Sequence, residues 1–293
     1  MGACNRLALL CLLCVLWAPA DSAPISVTDD AGSKLTLAGP AGRIVSLAPS
    51  ITEQLFAIGA GDRIVGTSAF SDFPAAARTI AVVAGAGGVD LERIASLHPD
   101  LVILWGSGYP PAVPDALKRL GVPVYVNEPK SLDSIAASLE RLGQLTDAAQ
   151  APALAQQFRA SVQQLRAQFA ARRPVRAFYQ VWAQPLMTLS GRHVVSEALA
   201  LCGARNIFES LAPLVPTVSP EAVIAADPQI ILNAEPGGLD RGALDFWKRY
   251  PFITAVAGGQ LITLDSDRID RATPRMLQEV ARLCERVEAA RAR

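Results

Sequence analysis

AAQAPALAQQFRASVQQLRAQFAAR, residues 148–172, is the stretch on which the fold turns. Its one helix breaker is Pro152, which falls where a first helical turn tolerates proline. Leu154, Phe158, Val162, Leu165 and Phe169 recur at three- and four-residue intervals, the period of one helical face. The spacing predicts a continuous helix over 148–172, roughly 36 Å long at about 1.5 Å per residue. Such a rod is a strut between the two halves of the chain; a flexible linker would be rich in Gly and Ser.

On both sides of the strut, short apolar runs alternate with helical patterns, the signature of βαβ units and an α/β sheet. Before it, 44–48, 63–66, 101–105 and 122–127 read as strands, with helices at 50–58, stopped by Gly59, and 91–97, ended by Pro99. After it, 175–182, 186–189, 229–233 and 261–264 read as strands, with helices at 193–201, 220–226, 243–249 and 274–290. The predicted architecture is two Rossmann-like α/β lobes, 24–147 and 173–293, joined by a single long α-helix.

The halves echo each other. Glu92-Arg93-Ile94-Ala95 followed by Pro99-Asp100-Leu101-Val102-Ile103 matches Glu221-Ala222-Val223-Ile224 followed by Pro228-Gln229-Ile230-Ile231-Leu232. A weaker echo joins Glu53, Leu55 and Gly59-Ala60 to Glu197, Leu199 and Gly203-Ala204. Glu92 and Glu221 should therefore occupy equivalent places in two pseudo-equivalent lobes.

Residues 1–23 read as a cleaved export signal. Arg6 precedes an apolar run from Leu7 to Trp17, and Ala18-Pro19-Ala20 and Asp21-Ser22-Ala23 offer small-residue cleavage sites. The run is too short to span a bilayer, which takes about 20 apolar residues. Cys11 and Cys14 raise a lipoprotein signal as the alternative, but Leu10 and Leu13 stand where a small residue is expected. Cleavage removes Cys4, Cys11 and Cys14 and leaves Cys202 and Cys284. In an oxidising compartment two such cysteines read as one disulfide, worth roughly 4.5 kcal/mol by loop closure, or as two separate buried thiols.

Composition removes several functions. The chain carries 51% hydrophobic residues and balances 27 basic against 27 acidic side chains, which excludes a disordered chain and a counterion-displacing nucleic-acid binder. His98 and His193 are the only histidines, too few for a histidine metal cage. No G-x-S-x-G elbow or phosphate loop occurs, and Gly85-Ala86-Gly87-Gly88 lacks the third glycine of a dinucleotide turn. His98 reads as a surface residue at a helix end, and His193 as the opening of a helix with a ligand role as the minor alternative. No catalytic set and no metal site are expected.

Ligands of open α/β sheets bind outside the carboxyl ends of the strands. That rule selects the loops at Pro49-Ser50, Phe70-Ser71-Asp72-Phe73-Pro74, Trp105 to Tyr109, Trp182, and Asp267-Arg268-Ile269-Asp270-Arg271. Aromatics and arginines converging there suit a large, flat, partly apolar ligand. Asp90 and Ser219 are good N-caps, which puts Glu92 and Glu221 in first helical turns, where the dipole favours a carboxylate by about 0.3–1 kcal/mol. The same matched pair on the rim of a two-lobed protein would also suit two basic sites on a two-fold symmetric partner.

These residues resemble a known family, the periplasmic binding proteins of ABC importers whose lobes are joined by one rigid helix (class III), and within it the vitamin B12 branch. The resemblance is carried by Arg43-Ile44-Val45-Ser46-Leu47-Ala48-Pro49-Ser50 with Thr52-Glu53, by Ser71-Asp72-Phe73-Pro74, by Leu91-Glu92-Arg93-Ile94 with Pro99-Asp100-Leu101-Val102-Ile103, by Cys202-Gly203 with Asn206-Ile207-Phe208, by Val218-Ser219 with Glu221, and by Arg271-Ala272 with Pro274-Arg275. It implies a periplasmic, monomeric receptor, not an enzyme, that holds cobalamin or a related corrinoid as a transported ligand rather than a cofactor and delivers it to an inner-membrane permease dimer. It places ligand contacts on Phe70, Trp105 and Asp267 to Arg271, permease docking on Glu92 and Glu221, and a disulfide on Cys202 and Cys284. The chain departs from the branch at Ala86, Val215 and Asp267-Arg268-Ile269, where stacking surface is missing and which Trp182 and Tyr109 would in part replace. The alternatives are an iron–siderophore or haem receptor of the same superfamily, and an exported enzyme on a two-lobed frame.

Overall fold

A computed structural model describes residues 23–169 and 171–292; the export signal expected over 1–23, apart from Ala23, lies outside them, with Cys4, Cys11 and Cys14. β1 (Ile25–Thr28) and β2 (Lys34–Leu37) form an antiparallel hairpin. Next come β3 (Ile44–Ser46), α1 (Pro49–Ala57), β4 (Ile64–Ser68), β5 (Val82–Gly85), β6 (Gly88–Val89), α2 (Leu91–Ser96), β7 (Leu101–Leu104), α3 (Ala112–Arg119), β8 (Val124–Val126) and α4 (Leu132–Thr146). Six of these strands make a sheet in the order β6-β5-β4-β3-β7-β8, parallel except for β6. β6 returns from β5 through Ala86-Gly87, so the glycine-rich run is a hairpin turn, with Gly88 at φ 101°. The strand order reverses at β3, which places a crevice outside the ends of β3 and β7.

The strut is α5 (Ala151–Phe169), about 28 Å long, shorter at both ends than the periodicity predicts. Asp147 ends α4 in the left-handed region at φ 47°, and the 148–150 turn lets α5 fold back along α4. Gly143 permits the approach, since a side chain there would meet the Ala151 Cβ at 2.3 Å. The breaker that starts the strut is thus Asp147, upstream of Pro152.

After the strut come β9 (Val175–Tyr179), β10 (Trp182–Ala183), β11 (Leu186–Met187), α6 (Val194–Leu201), β12 (Ala204–Asn206), α7 (Pro220–Ala226), β13 (Ile230–Glu235), α8 (Thr254–Ala257), β14 (Leu261–Asp265), α9 (Ser266–Ile269) and α10 (Met276–Arg291). A parallel sheet runs β12-β9-β13-β14. The run expected as one strand over 175–182 divides: β9 ends at Tyr179, and Trp182 opens a separate hairpin with β11. The helix expected over 243–249 is a 3-10 segment, Asp245–Arg249.

The echo between halves is a fold equivalence. Gly59 follows α1 at φ 83°, and Gly203 follows α6 at φ 71°, each taking a left-handed position that ends its helix. The largest core runs without a break from Ile44 and Leu55 through Leu139 and Phe158 to Leu199 and Leu283, so the α4–α5 pair is packed into both sheets. Cys202 and Cys284 are bonded and wholly buried, joining the end of α6 to α10.

Candidate binding cleft

A cavity of about 200 Å³ forms the floor of the crevice between the two sheets. From the first half it is lined by Ala48, Pro49 and Ser50 where α1 leaves β3, by Trp105 and Ser107 after β7, and by Asn127 to Lys130 after β8. From the second half come Arg192, His193 and Val194 at the start of α6, Leu214, and Asp270, Arg271 and Ala272 beyond α9. Every first-half segment follows a parallel strand's carboxyl end, as the rule for such sheets requires.

Of the aromatics expected at the site, Tyr109 is half-buried against the core with its hydroxyl donating to the Leu47 carbonyl at 2.8 Å, and Phe70, Trp105 and Trp182 are exposed but do not all share this floor. Trp105 lines it and is 49% exposed. Its ring lies over Gly108, where a Cβ would meet ring carbon Cε3 at 2.5 Å. Phe70 follows β4, is 81% exposed and has φ 64°, a left-handed conformation that a bulky residue adopts only when its surroundings impose it. The turn is held by Ser71 N–H on the Ser68 carbonyl and by Asp72 N–H and the Arg271 guanidinium on the Phe70 carbonyl. Trp182 stands out from the β10–β11 hairpin, its indole N–H donating to the Gln184 carbonyl at 2.9 Å. Phe70, Trp182, Asp267 and Arg268 lie outside the cavity floor.

The loop after β14 differs from expectation in chemistry. Ile269 is wholly buried in the core, so it supports the loop from below and offers no ligand surface. Arg268 pairs with Asp265 at 3.1 Å. Arg271 lines the cavity, yet its guanidinium is committed to Glu53 at 2.6 Å, Asp72 at 3.0 Å and Asp267 at 2.8 Å. Burial is the largest single influence and opposes its charge, but the bonds to Glu53 and Asp72, which cross from the second half to the first, together with those groups' charges outweigh it and raise its pKa. Arg275 reinforces the crossing, reaching Glu53 at 3.0 Å and lying 3.6 Å over the Phe73 ring. Two of the quoted motifs, Ser71 to Pro74 and Arg271 to Arg275, thus meet face to face. Asp270 keeps an exposed edge on the cleft, but loss of hydration at the crevice floor pushes its carboxyl up to about 6, against the Tyr179 hydroxyl that donates to it at 3.0 Å.

A second crossing, which the sequence did not disclose, uses the glutamate equivalent to Glu53. Glu197 of α6 accepts from the Leu132 N–H at the start of α4 at 2.7 Å and pairs with Arg166 of α5 at 3.3 Å. Under the cleft, Gln54 accepts from Asn127 and Ser138 at 3.0 Å and donates to the Ala272 carbonyl, a third link between halves. The nearest sequence signal for these groups was polar residues inside apolar helix patterns, Glu53-Gln54 and Ser138.

His193 caps α6, its Nδ1 accepting from Val195 N–H at 3.2 Å, and desolvation lowers its pKa to about 4. His98 is exposed in a left-handed turn. Glu92 and Glu221 are exposed in first turns behind their N-caps Asp90 and Ser219, which accept from Arg93 N–H at 2.9 Å and Ala222 N–H at 3.2 Å. Among the described residues no cluster of three or more His, Cys, Asp and Glu is placed to hold a metal ion.

Two mostly parallel α/β sheets, a connecting helix and a crevice at their facing carboxyl ends define a two-lobed solute-binding protein. Residues 44–268 match the model of the periplasmic binding proteins, and the chain belongs to that family, one of solute binders rather than enzymes. It is 36% identical over 259 residues to the vitamin B12-binding protein of Vibrio parahaemolyticus, covering 88% of this chain and 94% of that one. The crystal structure of the periplasmic vitamin B12-binding protein of Vibrio cholerae superposes with a TM-score of 0.79 at 36% identity, covering 87% of this chain and 99% of that one. The periplasmic haem-binding protein of Roseiflexus sp. RS-1 superposes with a TM-score of 0.74 at 26% identity, covering 85% and 98%.

Proposed function

We propose that this protein binds a corrinoid of the vitamin B12 type in the cleft and hands it to the permease of an ABC importer. The observation that carries this reading is the likeness to the Vibrio cholerae protein over 99% of that chain. The site chemistry agrees with it. Trp105 and Phe70 offer flat apolar surface at the carboxyl ends of β7 and β4, suited to a large ring with amide arms. Arg268 and Arg271 are already neutralised by carboxylates, which leaves Arg192 and Lys130 as the cations lining the floor without an ion pair among the described residues. That supply is poor for a polyanionic ferric siderophore and favours a neutral solute.

Cleavage of the leader at Ala20 or Ala23 would release the chain into the periplasm, where Cys202 and Cys284 oxidise. It would act as a monomer, with 24–147 and 173–293 as lobes and with Glu92 and Glu221 presented together to paired arginines of a dimeric permease. Titration calorimetry of the mature chain against cyanocobalamin, haem and a ferric siderophore tests the ligand. One-to-one binding of cyanocobalamin at micromolar affinity or tighter, lost in the Phe70→Ala, Trp105→Ala double variant, is the expected result. Binding of haem alone would move the protein to the haem receptors. Reversing both Glu92 and Glu221 to Arg should leave that binding intact and abolish transport.

A further inference from the structure

His193 sits where α6 begins and belongs to the lining of the cavity floor. Its ring is used asymmetrically. Nδ1 accepts the Val195 N–H at 3.2 Å, so its lone pair is turned into the helix. A neutral imidazole with an accepting Nδ1 carries its proton on Nε2. Burial disfavours the charged form, which keeps the ring neutral at the pH of its compartment. Nε2 has no partner among the described residues, and it is not among the polar atoms sealed from solvent without one. The helix cap thus fixes the tautomer and leaves one N–H open in the cavity.

Resting on the corrinoid reading, we infer that His193 is a specificity-determining contact that donates its Nε2 proton to an acceptor oxygen of the solute and does not coordinate the solute's metal. The two roles exclude one another. Coordination through Nε2 needs the proton on Nδ1, which would break the α6 cap and set two N–H groups against each other. A corrinoid offers acceptor oxygens in two places, the carbonyls of its peripheral amides and the phosphate and ribose oxygens of its nucleotide loop. Both take a neutral donor. Arg192 beside it and Lys130 across the floor add positive charge to the cavity, while Glu128 and Asp270 supply acceptors for donors of the solute.

The test uses the mature chain with two variants and three corrinoids. His193→Asn keeps an oxygen for Val195 N–H but is too short to reach the solute; His193→Gln places an N–H about where Nε2 stood. Loss of one neutral hydrogen bond predicts cyanocobalamin binding about five- to tenfold weaker in His193→Asn and within about threefold of the unaltered protein in His193→Gln. Dicyanocobinamide, which lacks the nucleotide loop, separates the sources: an equal loss with both solutes assigns the bond to an amide, and a loss with cobalamin alone assigns it to the nucleotide loop. Aquocobalamin, whose axial water exchanges for imidazole, should bind with an unshifted visible spectrum. Unchanged affinity in His193→Asn, equal losses in both variants, or a spectral shift on binding that disappears in His193→Asn would overturn the inference. Failure of the unaltered protein to bind any corrinoid would instead overturn the ligand reading, and this inference with it.

Discussion

Trp105 holds its place in the cleft because Gly108 has no side chain to dispute it. Gly108→Ala should rotate the indole off its seat and weaken corrinoid binding several-fold while the unfolding midpoint hardly moves; intrinsic fluorescence and calorimetry would register the two effects separately. Asp270 predicts a pH dependence of defined sign. Its folded pKa, about 6, lies above the ordinary aspartate value of 3.8, so the folded state binds the extra proton between those values, and this group's stabilising contribution is lost as pH rises through 6. Asp270→Asn, whose amide oxygen still accepts from Tyr179, should therefore raise the thermal midpoint at pH 7 and cease to do so below about pH 4. At this scale the sequence revealed which loops matter, because each follows an apolar strand, and it left the distant partners hidden. Arg268 and Arg271 have local partners in Asp265 and Asp267 at helical spacing, but Glu53 lies 218 positions from Arg271 and no local pattern joins them.

Among the elements, periodicity located β3, β4, β7, β8, β9, β13 and β14 with α1, α2, α5, α6, α7 and α10, and missed others that also fill the core, α4 above all. The strut was found but drawn too long, since a left-handed Asp147 is invisible to a count of apolar intervals. β1, β2, β5, β6, β12, α3, α4, α8 and α9 were passed over, most of them too short to show a period. The disulfide ties two of these elements, α6 and α10, across 82 residues. Loop closure on that scale is worth about 4.5 kcal/mol in the chain-entropy model, so reduction should lower the urea midpoint markedly while leaving the cleft formed under native conditions. A cleft that fails to bind solute in the reduced protein without denaturant would count against this.

Besides the shared core and the Gln54 link, the halves are joined by two crossings related by internal pseudosymmetry, Glu53 to Arg271 and Arg275, and Glu197 to the head of α4. They are unequal in strength. Glu53 is buried, its side chain 2% exposed, and Glu53→Gln should cost about 3 kcal/mol, because two arginines lose their shared counter-charge. Glu197 is more open, and Glu197→Gln should cost within about 1 kcal/mol. Urea unfolding of the two single variants measures the difference. With both crossings and the strut in place, X-ray scattering should give nearly the same radius of gyration with and without solute; a large contraction on binding would contradict this. The sequence announced two lobes and a rod between them, but not the polar contacts that also cross between the halves. Like a calliper with its screw tightened, such a molecule gauges its solute against a jaw opening set beforehand. The same tightness bears on unloading: with the jaws pinned at both ends, a bound solute gains little room from thermal motion, and the work of parting them falls to whatever grips the rim from outside.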